Sequence, residues 1–163
     1  MKREIISCGE LLIEKGFTIA FAESATGGRL SAEFALVADA GKFLKGGLVC
    51  YDASLKESLL EVSQDLVKRY TPESAEVTEA ITKGLAKLIE ADLHVGVTGL
   101  VCPGGSESEE KPVGTIFIHA LLSGKTLFSE RSFFLGTPEE IVMAATQQAA
   151  RFLVSYLTNS RSV

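Results

Sequence analysis

The sequence predicts an α/β domain: a mixed, mostly parallel sheet flanked by helices, with a C-terminal β-hairpin and a long final helix. Three observations carry this. Helical and strand-like segments alternate through the first two thirds of the chain. Two strand-like segments, Val113–Leu122 and Thr126–Phe134, are then separated only by Ser123-Gly124-Lys125, and a helical stretch follows from Thr137 to about Leu157. Alternation favours parallel strands joined by helical crossovers, whereas a short join forces an antiparallel pair.

Residues 4–15 place Ile5, Ile6, Cys8, Leu12 and Ile13 on a helical stripe, and Gly16 is a helix stop. Thr18–Ala22 is a short apolar run with the length of a buried strand, and 28–38 read as helix after Glu23–Gly28 breaks the pattern. Gly46–Tyr51 is a second strand, and 54–70 hold one or two short helices. Thr71-Pro72-Glu73 opens a helix to about Glu90, with Pro72 at the first helical position. Leu93–Val97 is a third strand ending at Thr98-Gly99, followed by a loop rich in Gly, Ser and Glu. With no repeat, linker or biased segment, residues 1–163 are expected to form one domain.

Charge and composition remove several function classes. The chain is 46% hydrophobic and 23% charged, an ordinary globular balance. Its net charge is −5, and no basic block exceeds two residues, so no nucleic-acid partner is expected. No stretch approaches 18 uncharged apolar residues, so no membrane span is expected. Glu10 and Glu14 interrupt the N-terminal apolar pattern, which argues against a secretory leader and for a cytoplasmic protein. Cys8, Cys50 and Cys102 are odd in number and far apart. With only His94 and His119 beside them, no metal and no cofactor are expected.

In open α/β sheets ligands sit beyond the carboxyl ends of the strands, which directs attention to loops 23–28, 51–56 and 98–112. Gly124-Lys125-Thr126 imitates the end of a phosphate-binding loop, but His119 stands where its first glycine belongs and the segment joins two strands. Both histidines fall inside strands and read as structural. In Ala22-Glu23-Ser24-Ala25-Thr26-Gly27-Gly28, glycines permit close backbone approach and a helix N-terminus favours an anion. Ser24 and Thr26 are candidate nucleophile and donor there, or else helix N-caps. Lys56 activates a serine if burial keeps it neutral, and is otherwise a surface lysine; Tyr51 is a candidate proton relay. Thr98-Gly99 and Pro103-Gly104-Gly105 can form a wall of backbone donors, or a flexible surface loop with a solvated acidic run. Cys102 has no activating partner near it in the sequence and is not read as a nucleophile.

Taken in order, these segments resemble the CinA C-terminal domain family, which includes nicotinamide mononucleotide deamidases of the PncC type. The resemblance rests on Ala22–Gly28 against A-E-S-[CA]-T-G-G, on Gly47-Leu48-Val49-Cys50-Tyr51 with Lys56 five residues on, and on Ala91-Asp92. Thr98-Gly99, Pro103-Gly104-Gly105 and Lys111-Pro112-Val113-Gly114-Thr115 complete it, over about residues 5–155. It implies an amidohydrolase that converts nicotinamide mononucleotide to nicotinic acid mononucleotide and ammonia. Ser24 is then the nucleophile, Lys56 its base and Tyr51 an assistant. Backbone N–H groups around Thr26-Gly27-Gly28 hold the oxyanion, and Glu23, Thr26, Gly27, Gly28, Thr98, Gly99, Pro103, Gly104, Gly105 and Lys111 form the substrate site. It also implies a homo-oligomer with a small-molecule nucleotide substrate. The larger N-terminal domain that many CinA proteins carry is not in this sequence, so pyrophosphatase activity associated with it is not expected.

Two segments depart from the family pattern. Leu100-Val101-Cys102-Pro103 replaces I-A-G-P after Thr98-Gly99, which narrows the pocket. Gly136-Thr137-Pro138-Glu139-Glu140-Ile141-Val142 replaces G-[DN]-R-x-x-[VI]-R, which removes two arginines suited to phosphate. The alternatives are therefore an amidase on an unphosphorylated or differently charged amide, and a weak or silent relative that binds nucleotides or proteins.

Overall fold

A computed structural model describes residues 3–159. The first helix, α1 (Arg3–Lys15), buries Ile5, Cys8 and Leu12 on one stripe. It stops where Gly16 takes a φ of +67°, and the Phe17 N–H reaches back to the Leu12 carbonyl at 3.0 Å. Then follow β1 (Ile19–Glu23), α2 (Arg29–Ala35), β2 (Leu44–Val49), α3 (Ala53–Leu60), α4 (Gln64–Tyr70) and α5 (Ala75–Leu88). The chain closes with β3 (Leu93–Gly99), β4 (Thr115–Leu122), β5 (Lys125–Phe133) and α6 (Pro138–Asn159).

The five strands form one sheet in the order β2-β1-β3-β4-β5. The β1 ladders to β2 and β3 are parallel, and those of β3 to β4 and β4 to β5 are antiparallel. Four strands thus run one way and only β4 opposes them, as the sequence predicts.

Alternation along β1 divides the core in two. Ile19 and Phe21 face α1, α2 and α6 in the larger cluster, whereas Ala20 and Ala22 face Val77, Ile81 and Leu85 of α5. In the larger cluster the Phe21 and Phe34 rings sit 5.0 Å apart, and each such buried side chain contributes about 1.5–3 kcal/mol. On the other face, small residues let α5 lie close. A β-carbon at Gly96 would stand 2.2 Å from the Thr82 hydroxyl.

Four local details differ from the sequence reading. Ser123 and Gly124 alone make the hairpin turn, both with positive φ, and Lys125 already pairs with Leu122. Such a turn matches the strand twist, so two residues suffice. Helix α5 starts at Ala75, because the Ser74 side chain accepts the Val77 N–H and outcompetes Pro72 as the start signal. Strand β2 begins at Leu44 and carries a bulge at Lys45, which blurs its alternation. Helix α2 ends at Ala35 rather than near 38.

Helix α6 opens with a reciprocal capping box. Thr137 Oγ1 accepts the Glu140 N–H at 3.3 Å, and the Glu140 carboxylate accepts the Thr137 N–H at 2.7 Å. Among the described residues no helix is long and apolar enough to cross a membrane, and no three His, Cys, Asp or Glu side chains converge as a metal site.

Candidate active site

Parallel register assembles the site. Glu23 pairs with Val49 on one side and Val97 on the other, so the next residue, Ser24, lies between Cys50-Tyr51 and Thr98-Gly99. The Ser24 N–H donates to the Val97 carbonyl and the Cys50 N–H to the Glu23 carbonyl, which fixes both loop starts. After Tyr51 the Asp52 side chain caps α3 by accepting the Ser54 N–H at 2.8 Å. Lys56 lies one turn into that helix. Helical side chains lean toward the N-terminus, so its amine returns to the sheet end.

The Lys56 Nζ lies 3.0 Å from Ser24 Oγ, 2.8 Å from the Cys50 carbonyl oxygen and 3.3 Å from that of Tyr51. Lys56 is 1% exposed, so it is no surface lysine. Burial pushes its pKa below the ordinary lysine value, against the smaller opposing influence of Cys50, Glu73 and Asp52. Charged, the amine donates to all three oxygens. Neutral, it keeps two N–H donors for the carbonyls and turns its lone pair on the Ser24 hydroxyl, the arrangement a base requires.

The loop after Ser24 is held from within. Glu23 is fully buried, and its carboxylate accepts from the Thr26 and Ser31 hydroxyls and from the N–H groups of Gly28, Leu30 and Ser31, at 2.6–3.1 Å. Neither Ser24 nor Thr26 caps α2; the cap position is Gly28, with a φ of +97°. The positive end of α2 is therefore satisfied by the chain's own carboxylate, and Glu23 and the Thr26 hydroxyl face inward. Glu23→Ala strips five donors of their acceptor, and at about 1–3 kcal/mol per buried unpaired group we expect a loss of about 3–5 kcal/mol. A urea midpoint unchanged from wild type would remove this structural role.

Of the backbone N–H groups around Thr26-Gly27-Gly28 that the resemblance implies for the oxyanion, those of the two glycines have partners within the chain. The Gly27 N–H donates to the Ser24 carbonyl and the Gly28 N–H to Glu23, so both are occupied. The N–H groups of Ala25 and Thr26 have no acceptor among the described residues. Ala25 directly follows Ser24 and lines the cavity.

That cavity has a volume of about 220 Å³ and is walled by Ser24, Ala25, Tyr51, Glu73 and the 99–105 segment. Gly99, Pro103, Gly104 and Gly105 line it, and Val101 and Cys102 do so where the family pattern has smaller residues. Thr98 does not, since its buried hydroxyl is shared with that of Thr78 at 2.8 Å. Lys111 is clamped outside the wall, its amine donating to Thr71 Oγ1, the Glu73 carbonyl and Ser106 Oγ. Tyr51 is 62% exposed at the rim and its hydroxyl bonds neither Ser24 nor Lys56; its carbonyl is what meets the amine. The 136–142 segment lies outside the cavity lining.

In the sequence Glu73 belongs to the helix-start signal Thr71-Pro72-Glu73, which gives no sign of a place in the site. Its carboxylate accepts from the Ser106 hydroxyl and reaches the cavity only because the α4–α5 turn folds over the carboxyl end of the sheet. Nor does the sequence show that Glu107 accepts the N–H groups of both Gly104 and Gly105. Both histidines are structural. His94 bonds the Ile89 carbonyl, His119 the Thr126 hydroxyl, and neither lines the cavity.

The chain is 34% identical over 141 residues to a CinA-like protein of Petrotoga mobilis, covering 86% of this chain and 34% of that protein. The chain thus spans about a third of the length of such curated relatives. A crystal structure of a competence-damaged protein (CinA) superfamily protein from Klebsiella pneumoniae superposes with a TM-score of 0.89 at 26% identity, covering 95% of this chain and 96% of that one. One from Escherichia coli gives 0.86 at 27% identity, covering 93% and 87%. The model of the CinA C-terminal domain matches residues 4–157, and the chain belongs to the CinA C-terminal domain family.

Proposed function

We propose that this domain is a serine amidohydrolase that hydrolyses the carboxamide of nicotinamide mononucleotide. The observation that carries the reading is the buried Lys56 amine 3.0 Å from Ser24 Oγ at the wall of a cavity that no histidine lines. Neutral Lys56 takes the Ser24 proton as Oγ attacks the amide carbon. The Ala25 and Thr26 N–H groups hold the resulting oxyanion, an interaction worth several kcal/mol. Lys56 returns the proton to the nitrogen, ammonia leaves, and the acyl group stays esterified to Ser24. Water activated by the same amine then releases the acid. Tyr51 closes the rim beside the base. No cofactor takes part, and a small-molecule substrate is the only partner besides further copies of the chain.

Association of copies is supported by an apolar surface on the edge strand β2 and beside it: Val49, Tyr51, Leu55 and Leu59 are all exposed. A monomeric mass in sedimentation at every concentration would remove it.

A second reading, an amide without a phosphate, is favoured by one observation. Among the described residues the cavity offers no uncommitted cation, since Lys56 serves the nucleophile and Lys111 has three acceptors. Ammonia release and product chromatography, run in parallel on nicotinamide mononucleotide and its riboside, test both. Conversion of the nucleotide supports the first reading and conversion of the riboside alone the second. Conversion of neither by folded protein sinks both and leaves the silent binder.

A further inference from the structure

Gly104 and Gly105 each donate a backbone N–H to a different oxygen of the Glu107 carboxylate, both at 2.8 Å. Gly104 has a φ of +102°, and two successive N–H groups converging on one anion make a backbone nest. Both glycines line the Ser24 cavity. The anion in this nest belongs to the chain itself: Glu107 is exposed, and no lysine or arginine among the described residues pairs with it. The free Ala25 and Thr26 N–H groups are reserved for the oxyanion, and the remaining anion-favouring features nearby are closed. The start of α2 holds buried Glu23, which no ligand reaches, and the two lysines are committed as described. In this cavity, therefore, one pair of aligned donors is held by an occupant that can swing into water.

We propose that the Gly104 and Gly105 N–H groups are the subsite for an anionic oxygen of the substrate, a phosphate monoester, and that Glu107 occupies this subsite until the substrate displaces it. The inference rests on the amidase reading only for what the phosphate is attached to. Glu107 and the phosphate compete for the same two donors, so the apparent affinity falls by the fraction of molecules in which the nest is free. Ser106, between the nest and Glu107, is bonded to Lys111 and to Glu73, which anchors the wall while the Glu107 side chain exchanges.

The test compares wild type with Glu107→Ala and Glu109→Ala, which remove the same charge from the same exposed loop. Inorganic phosphate binding is measured by calorimetry, and KM is measured for nicotinamide mononucleotide and for its riboside. Glu107→Ala is expected to tighten phosphate binding and lower KM for the nucleotide by about threefold or more, with the riboside unmoved. Glu109→Ala is expected to change none of these. Unchanged or weaker phosphate binding in Glu107→Ala overturns the proposal, and so does equal tightening in Glu109→Ala, which would mark a long-range charge effect. If wild type turns over neither amide, the amidase reading fails on its own, and phosphate binding still decides the nest.

Discussion

Ser24→Ala is expected to lower amide turnover about 10⁴-fold or more, because removing the nucleophile forces the reaction off the covalent route. The fold should survive. The Ser24 hydroxyl makes one side-chain hydrogen bond, to Lys56, and the loop is held by Glu23 and by the Ser24 backbone. Losing that bond costs about 0.5–1.5 kcal/mol. Substrate binding, followed by calorimetry, should therefore persist in the variant. A stronger check is the intermediate itself: wild type quenched in acid during turnover should carry an acyl ester on the peptide containing Ser24. Full turnover by Ser24→Ala would remove Ser24 as nucleophile, and loss of binding together with turnover would make it a positioning residue instead.

The second large effect is expected from Lys56→Met, which keeps an unbranched apolar stem and deletes the amine. Turnover should fall about 10²–10⁴-fold, the usual contribution of a positioned base. Stability should move the other way. A buried ammonium whose acceptors are carbonyls and a hydroxyl, with no bonded carboxylate, is costly, and replacing such charges by apolar groups is often neutral or stabilising. A gain of about 1 kcal/mol would raise Tm by about 2–4 °C in a chain of this size. The sign with pH follows from the direction of the shift. Because the folded pKa lies below the ordinary lysine value, the unfolded chain binds more protons between those two values, and wild-type stability rises with pH across that window. The advantage of Lys56→Met should then be largest below the folded pKa and shrink as pH rises toward 10.5. Activity has the same origin: wild-type kcat/KM should climb with pH as Lys56 loses its proton, then level. A Lys56→Met protein that unfolds would make the amine a structural strut, and a flat pH profile would remove it as the base.

The parts of this site legible in the sequence are those set by short spacing. Ala22–Gly28, Tyr51 with Lys56, and Gly99 with Pro103–Gly105 each lie at or just beyond the end of a strand, and strands that share a carboxyl end deliver their loops to one place. Spacing within a loop does not say which way a side chain turns. Glu23 reads as a polar residue beside a nucleophile, yet strand alternation points it toward the start of α2, where five donors hold it. That inward carboxylate also takes the Gly28 N–H, as the Ser24 carbonyl takes that of Gly27, so the loop N–H groups left without an acceptor among the described residues are those of Ala25 and Thr26. Lys56 looks like any lysine on a short helix, and its burial depends on α3 packing against α5 and turning the amine back to the Cys50 and Tyr51 carbonyls. Glu73 and Glu107 were invisible for another reason: their roles come from a turn folding over the sheet and from a loop bonding itself, and neither leaves a periodic trace. At the start of α6, the Glu140 that stands within the missing arginine pattern instead closes a capping box with Thr137, a local signal that reading for phosphate ligands passes over.

The proposed nucleophile and base ride on units of unequal permanence. Ser24 follows β1, which is paired on both sides, whereas Lys56 follows β2, an edge strand with one neighbour, a bulge and two glycines. Segments of that kind open locally at a fraction of the free energy of global unfolding. Catalytic competence should therefore report on the sheet's margin rather than its centre, with inactivation in mild denaturant running ahead of the loss of helix signal and amide exchange fastest along β2. Whatever clamps that margin, a bound substrate or a second copy of the chain, would bring the two transitions together.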